Sequence, residues 1–166
     1  MQQLGALVDT ERMPSPAPRL VLDQVSRQII AQLQEDGRRA YATIGKAVGL
    51  SEAAVRQRVQ KLLDAGVMQV VAVTDPLQMG FGREALIAIA TTGDIERVGD
   101  QLAADPDIDY VVVTAGSFDL IVEAVAVDDD HLLDIIGRVR AIDGVQRTET
   151  FMYLKLKKQT YNWGAR

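Results

Sequence analysis

The sequence predicts an α+β chain in two parts: a small helical unit, then an antiparallel sheet carrying two helices. Three observations predict it. Apolar residues recur at spacings of three and four from Leu22 to Leu63, after which short β-branched runs alternate with two further helical stretches. The formal charge of -5 is unevenly spread: residues 1–72 hold nine Lys/Arg against seven Asp/Glu, and residues 73–166 nine against sixteen. Between the halves, Val67-Met68-Gln69-Val70-Val71-Ala72-Val73 reads as a strand leaving the helical unit, with a hinge at Gly80-Phe81-Gly82. The domain boundary is expected within residues 68–82.

The bulk numbers narrow the function classes. A chain of 166 residues, 48% apolar and 25% charged, has ordinary globular composition for one or two small domains. The absence of cysteine removes disulfides and thiolate metal sites and fits an intracellular setting. A single histidine, His131, leaves almost no material for a His-rich metal site or a Ser-His-Asp triad. The opening residues lack a basic n-region and a long apolar run, so no signal peptide or membrane span is expected, and a cytoplasmic setting is. Residues 1–19, with Pro14, Pro16 and Pro18, read as a disordered tail, and 159–166 as a C-terminal tail.

In chain order, Leu22, Val25, Ile29 and Leu33 predict a first helix favoured by Asp23 and ended by Gly37. A second helix offers Ile44, Ala47 and Val48 to the same core, with Gly45 expected where two helices approach most closely. Gly49 can take a left-handed conformation and stop that helix, and Ser51 can cap the next. This is a helix-turn-helix corner, a common way to place a helix in the DNA major groove. In the third helix Val55, Val59, Leu62 and Leu63 form the buried stripe. The opposite face presents Ala53, Gln57, Gln60 and Lys61, flanked by Ala54 and Arg56. Gln57 can read an adenine edge, and Arg56 a guanine or a phosphate. Arg58, on the edge of the stripe, suits a structural ion pair or a phosphate contact. From Arg38 to Lys61 there are six basic residues (Arg38, Arg39, Lys46, Arg56, Arg58, Lys61) and one acid, Glu52, which suits a phosphate-binding face. Ser51 is read first as a cap and second as a phosphate contact.

Residues 83–158 follow the order β-α-β-β-α-β: strands Ala85–Ala90, Asp109–Thr114, Leu120–Val127 and Val145 to about Lys157, with helices capped at Asp94 and ending near Gly144. That order is a ferredoxin-like sandwich with both helices on one face. Leu120, Val122, Ala124 and Ala126 point one way and Ile121, Val125 and Val127 the other, with Glu123 the only charge. Two helices cover one face only, so a second copy of the sheet is the simplest cover for the other, and a dimer is expected.

Three stretches, LDQVSRQIIAQLQEDGR (22–38), VGLSEAAVRQRVQKLLDAGVM (48–68) and GSFDLIVEA (116–124), resemble the Lrp/AsnC (leucine-responsive, feast/famine) regulators. Ser26 stands where the family usually has a second acid, and Met68 where it has Ile. The resemblance covers roughly residues 20–158. It implies a winged helix-turn-helix DNA-binding domain over 20–67, a strand linker over 68–82 and a RAM (ACT-like) ligand-binding and oligomerisation domain over 83–158. It further implies a transcriptional regulator that binds double-stranded DNA, forms homodimers or larger assemblies up to octamers, and takes a small effector, usually an amino acid, between adjoining dimers. Carried onto this chain, the effector region is Ala115, Gly116, Ser117, Phe118, Asp119, Thr148 and Thr150. Gly116 lets a backbone N–H approach a carboxylate, Asp119 can take an ammonium, and the Thr hydroxyls can do either. The same Gly-x-Phe-Asp is also a sensible hairpin turn, with Asp119 bonding its own backbone.

Other chemistry finds little support. Asp128-Asp129-Asp130-His131 reads as an acidic first helical turn rather than a metal site. Asp105, Asp107 and Asp109 imitate a calcium loop, but Tyr110 and Gly116 fall where its glycine and glutamate should stand. No cofactor or enzymatic constellation emerges. Two other readings remain: a low-specificity DNA-organising protein, and an amino-acid-binding regulatory module of an enzyme.

Overall fold

The computed structural model describes residues 21–160, so the tail expected over 1–19, and most of that expected over 159–166, lie outside the described residues. The chain divides into two compact units, the first reaching Ala72 and the second spanning Val73–Lys158.

The first unit holds α1 (Gln24–Glu35), α2 (Tyr41–Val48) and α3 (Glu52–Asp64). Ile29, Ile44, Val55 and Val59 form its core, with Val25, Leu33, Tyr41, Val48, Leu50, Leu63 and Met68 packed around them. Asp23 caps α1, its carboxylate accepting the Ser26 N–H at 2.7 Å. Three local expectations are corrected. The helix α1 ends one residue before Asp36, whose extended backbone (φ -149) stops it, so Gly37 is not the breaker. Ala47 is exposed, because an eight-residue helix turns only a narrow stripe inward, here Ile44 and Gly45. Residues 68–73 do not form a strand: an isolated extended segment needs a partner ladder, and none exists among the described residues. Val70, Val71 and Val73 consequently stand 52%, 68% and 59% exposed. No wing strand is present among the described residues of this unit.

The second unit opens with a short 3₁₀ turn, Pro76–Met79, capped by Asp75 and closed by Gly80. There follow β1 (Arg83–Thr91), α4 (Ile95–Ala103), β2 (Ile108–Val113), β3 (Leu120–Ala126), α5 (Asp129–Ala141) and β4 (Val145–Met152). The sheet is antiparallel with strand order β2-β3-β1-β4, the arrangement that the βαββαβ order predicts. Under the helices lie Ile87, Ile89, Leu120 and Val122, closed over by Val98, Leu102, Ile135 and Val139. Asp94 and Asp128 cap the two helices, accepting N–H groups of Arg97 and His131. The last strand stops at Met152 rather than near Lys157: beyond it, among the described residues, only the Tyr153 N–H still reaches β1, at the Glu84 carbonyl, 2.9 Å away. Gly82 is more than a hinge: a Cβ there would lie 2.6 Å from the Val127 carbonyl oxygen. Among the described residues no helix is long and apolar enough to cross a membrane.

Candidate nucleic-acid interface

The corner between α2 and α3 is built by two glycines and a serine. Gly49 caps α2 in the left-handed region (φ 73), its N–H returning to the Gly45 carbonyl. Leu50 N–H reaches that same carbonyl at 2.9 Å. The turn passes so close to α2 that a Cβ on Gly45 would meet the Leu50 oxygen at 2.5 Å. Ser51 then caps α3, its Oγ accepting the Ala54 N–H at 3.2 Å.

With Val55, Val59 and Leu62 buried, α3 turns Ala53, Arg56, Gln57, Gln60 and Lys61 outward. Ala54 is half-buried beside the corner. Among the described residues Gln57 and Lys61 make no side-chain hydrogen bond or ion pair, so both are available to a ligand. They line a groove of about 440 Å³ with Leu22, Asp23, Ser26 and Ala54. Other candidates are already engaged. Arg56 pairs with Glu52 at 2.9 Å and sits over the Tyr41 ring, 5.2 Å from its centroid. Gln60 donates to Asp64 at 2.7 Å. Both contacts are exposed and give way at little cost. Arg39 is held more firmly, against Gln32 and, at 3.0 Å, Glu35 on α1. Arg38 is exposed, with only its backbone N–H bonded, to Asp36.

Arg58 takes the structural role. It donates to Asp23 at 2.7 Å and to the Ser26 hydroxyl at 3.2 Å, tying α3 to the start of α1. Hydrogen bonds from Ser26, backbone and side chain, and then from Arg58 hold the Asp23 carboxyl down at about 2. Ser26 thus serves from a buried position in the space between two helices. One contributor escaped sequence reading: Tyr41 lies under a guanidinium one helix away, which no periodicity reports. Lys46, counted in the basic cluster, adds an exposed charge in the last turn of α2.

In the second unit the turn 114–119 and the start of β4 meet at one end of the sheet. The Arg147 guanidinium lies 4.6 Å from the centre of the Phe118 ring. Ala115, Gly116 and Ser117 are exposed at the tip, with Gly116 at φ 154. Asp119 bonds neither its own backbone nor an open space. Its carboxylate accepts the Thr91 N–H at 2.7 Å and the Thr91 hydroxyl at 3.2 Å, clamping the turn to the end of β1. Thr114 closes the turn, donating from its hydroxyl to the Phe118 carbonyl at 2.8 Å. Thr148 accepts from Arg140 at 2.8 Å. Register places both Thr148 and Thr150 opposite inward-facing Ile89 and Ile87 of β1, so they share the helix-bearing face. Thr91, Arg140 and Arg147 are the partners that sequence reading did not single out.

Comparison with known proteins agrees with this geometry. Residues 22–63 match an AsnC-type helix-turn-helix domain, and residues 83–166 match a C-terminal dimeric alpha+beta barrel domain. The HTH-type transcriptional regulator FL11 of Pyrococcus horikoshii is 32% identical over 144 residues, spanning 86% of this chain and 95% of that protein. The leucine response regulatory protein LrpA of Mycobacterium tuberculosis superposes with a TM-score of 0.76 at 25% identity, covering 83% of this chain and 96% of that one. The regulator NMB0573 of Neisseria meningitidis, solved as an L-Met complex, gives 0.73 at 24% identity over 84% and 94% of the two chains. A basic helix-turn-helix, a four-stranded βαββαβ sheet and these matches together place the chain in the Lrp/AsnC family of transcriptional regulators.

Proposed function

We propose that this regulator binds double-stranded DNA sequence-specifically as a dimer or an assembly of dimers, with α3 laid in the major groove and assembly modulated by a small effector, an amino acid. The observation that carries the DNA reading is the exposed face of α3. Gln57 and Lys61 are unengaged there beside small Ala53 and Ala54, which permit close approach to base edges. Arg56 adds positive charge on the same helix, and Arg38 and Lys46 are further exposed cations of the unit. Two-fold symmetry of a dimer calls for a roughly palindromic site.

The effector reading rests on the tip at Ala115-Gly116-Ser117, where backbone N–H groups are accessible, and on its neighbours Phe118, Thr148 and Thr150. It draws support from the L-Met complex of the Neisseria relative. Asp119 contributes by shaping the turn, since its carboxylate already serves Thr91. An effector acts by binding one arrangement of dimers more tightly than another. The setting that fits such a regulator is the cytoplasm.

The test is a salt-dependent gel shift with operator and random duplexes. Gln57→Ala with Lys61→Ala should abolish operator preference while dimerisation is unchanged, each base contact being worth about 1–3 kcal/mol. Unaltered operator binding by the double variant refutes the reading. Equal affinity for operator and random duplex favours a DNA-organising protein, and binding without a salt slope favours a regulatory module for an enzyme. A thermal-shift screen of the amino acids tests the effector: a ligand of the native state raises the midpoint, and no response to any of them removes this class.

A further inference from the structure

The sheet of the second unit leaves one face without helices, and that face carries acids. A row runs across all four strands on it, Tyr110, Glu123, Leu86 and Phe151, fixed by the strand registers. Tyr110 and Phe151 are 51% and 47% exposed. Glu84 lies on the same face opposite Val125, and Asp109 sits at the irregularity where β2 meets β3. Among the described residues no Lys or Arg pairs with Asp75, Glu84, Asp109 or Glu123. The carboxyls of Glu84 and Asp109 are both pushed up, first by burial and then by neighbouring carboxylates: Glu123, Asp75 and Asp109 act on Glu84, and Asp107 and Glu123 on Asp109.

The complementary charge stands at the end of β4. Tyr153 is still tied to the sheet, its N–H donating to the Glu84 carbonyl at 2.9 Å and its hydroxyl to Glu123 at 2.7 Å. Residues 154–158, Leu-Lys-Leu-Lys-Lys, are exposed and lie past the end of β4, with Leu154 94% and Leu156 65% exposed. Three lysines here have no acidic partner among the described residues. Paired as a strand against another backbone, this segment would carry the side of Phe151 and Tyr153 on to Lys155 and Lys157 by two-residue alternation. A cationic segment with exposed leucines and an anionic sheet face with exposed aromatics thus occur in one unit, with no ion pair to the lysines of the one or to Glu84, Asp109 and Glu123 of the other among the described residues.

We propose that residues 153–158 of each protomer lie over the open sheet face of a second copy, with Lys155 and Lys157 against Glu84 and Asp109 of the partner subunit. This rests on the dimer reading and specifies what holds the dimer in register. An interface between copies must meet its two-fold image, and opposite charges on a strand and a face within one chain satisfy that condition twice over.

The test uses full-length chains in two charge-reversed forms, Lys155→Glu/Lys157→Glu and Glu84→Lys/Asp109→Lys, followed by sedimentation equilibrium at low salt. Each form alone should dimerise at least tenfold more weakly, since both contacts become repulsive. An equimolar mixture should recover dimers, because both contacts are then attractive again. The milder Lys155→Gln/Lys157→Gln form should fall between, with helical circular dichroism unchanged. Wild-type dimerisation by both reversed forms, or failure of the mixture to recover, overturns the proposal while leaving the dimer reading intact. A wild-type chain that stays monomeric overturns both. Reversed lysines that leave the dimer unchanged but weaken DNA binding assign the segment to phosphates instead, which also overturns it.

Discussion

Substituting Gly45 by Ala tests the corner on which the DNA reading depends. Its new Cβ would sit 2.5 Å from the Leu50 carbonyl oxygen, about 0.9 Å inside ordinary contact. That oxygen belongs to backbone, so no side chain can swing aside. Leu50 is also held in place, its N–H bonded to the Gly45 carbonyl at 2.9 Å. Alanine gains about 1 kcal/mol in helix propensity. Against this, overpacking costs about 1–3 kcal/mol and the strained Leu50 bond about 1 kcal/mol. The net is a loss of about 2 kcal/mol, a fall of roughly 8–16 °C in the transition of a unit this small. Gly49→Ala is the internal control. It meets no atom within 4 Å, but φ 73 charges it for a left-handed backbone, about 1 kcal/mol. Calorimetry on the full-length chain, paired with operator binding, reads both. Gly45→Ala should be the more damaging and should lose DNA affinity, because α2 and α3 can relieve the clash only by separating. A Gly45→Ala protein as stable as wild type with unchanged affinity, or a reversed order of the two, refutes the close-approach argument.

Other outcomes follow from the side-chain geometry. Asp119→Ala removes the acceptor for the Thr91 N–H and hydroxyl and should lower the stability of the second unit by about 1–3 kcal/mol in urea denaturation, with Asp119→Asn recovering part of it. Asp23 has a folded carboxyl lowered from 3.8 to about 2. Its contribution is therefore fully present above the unfolded value and is lost as pH falls from 3.8 through about 2. Asp23→Asn should flatten this part of the acid-denaturation profile of the helical unit; an unchanged profile contradicts the Asp23–Ser26–Arg58 linkage.

Local chemistry made much of this protein legible from residues alone. The stripe Val55, Val59, Leu62 predicts which face of α3 is left for DNA, since a 3.6-residue period puts Gln57 and Lys61 opposite it. Gly49 and Ser51 announce a corner because left-handed backbone and free helix N–H groups restrict the residues that fit. The order of strands and helices was likewise enough for the sheet topology, short connections leaving few alternatives. Other features depended on distance in space. Arg58 finds Asp23, 35 residues earlier in the chain, and Asp119 finds Thr91, 28 residues away; neither pairing leaves a periodic trace. Residues 68–73 and 153–157 have the composition of strands, yet neither segment forms one among the described residues. Composition determines that a segment can extend, but a strand exists only where another backbone stands ready to pair. That decision belonged to the tertiary structure, because hydrogen-bond ladders are made between segments and not within them.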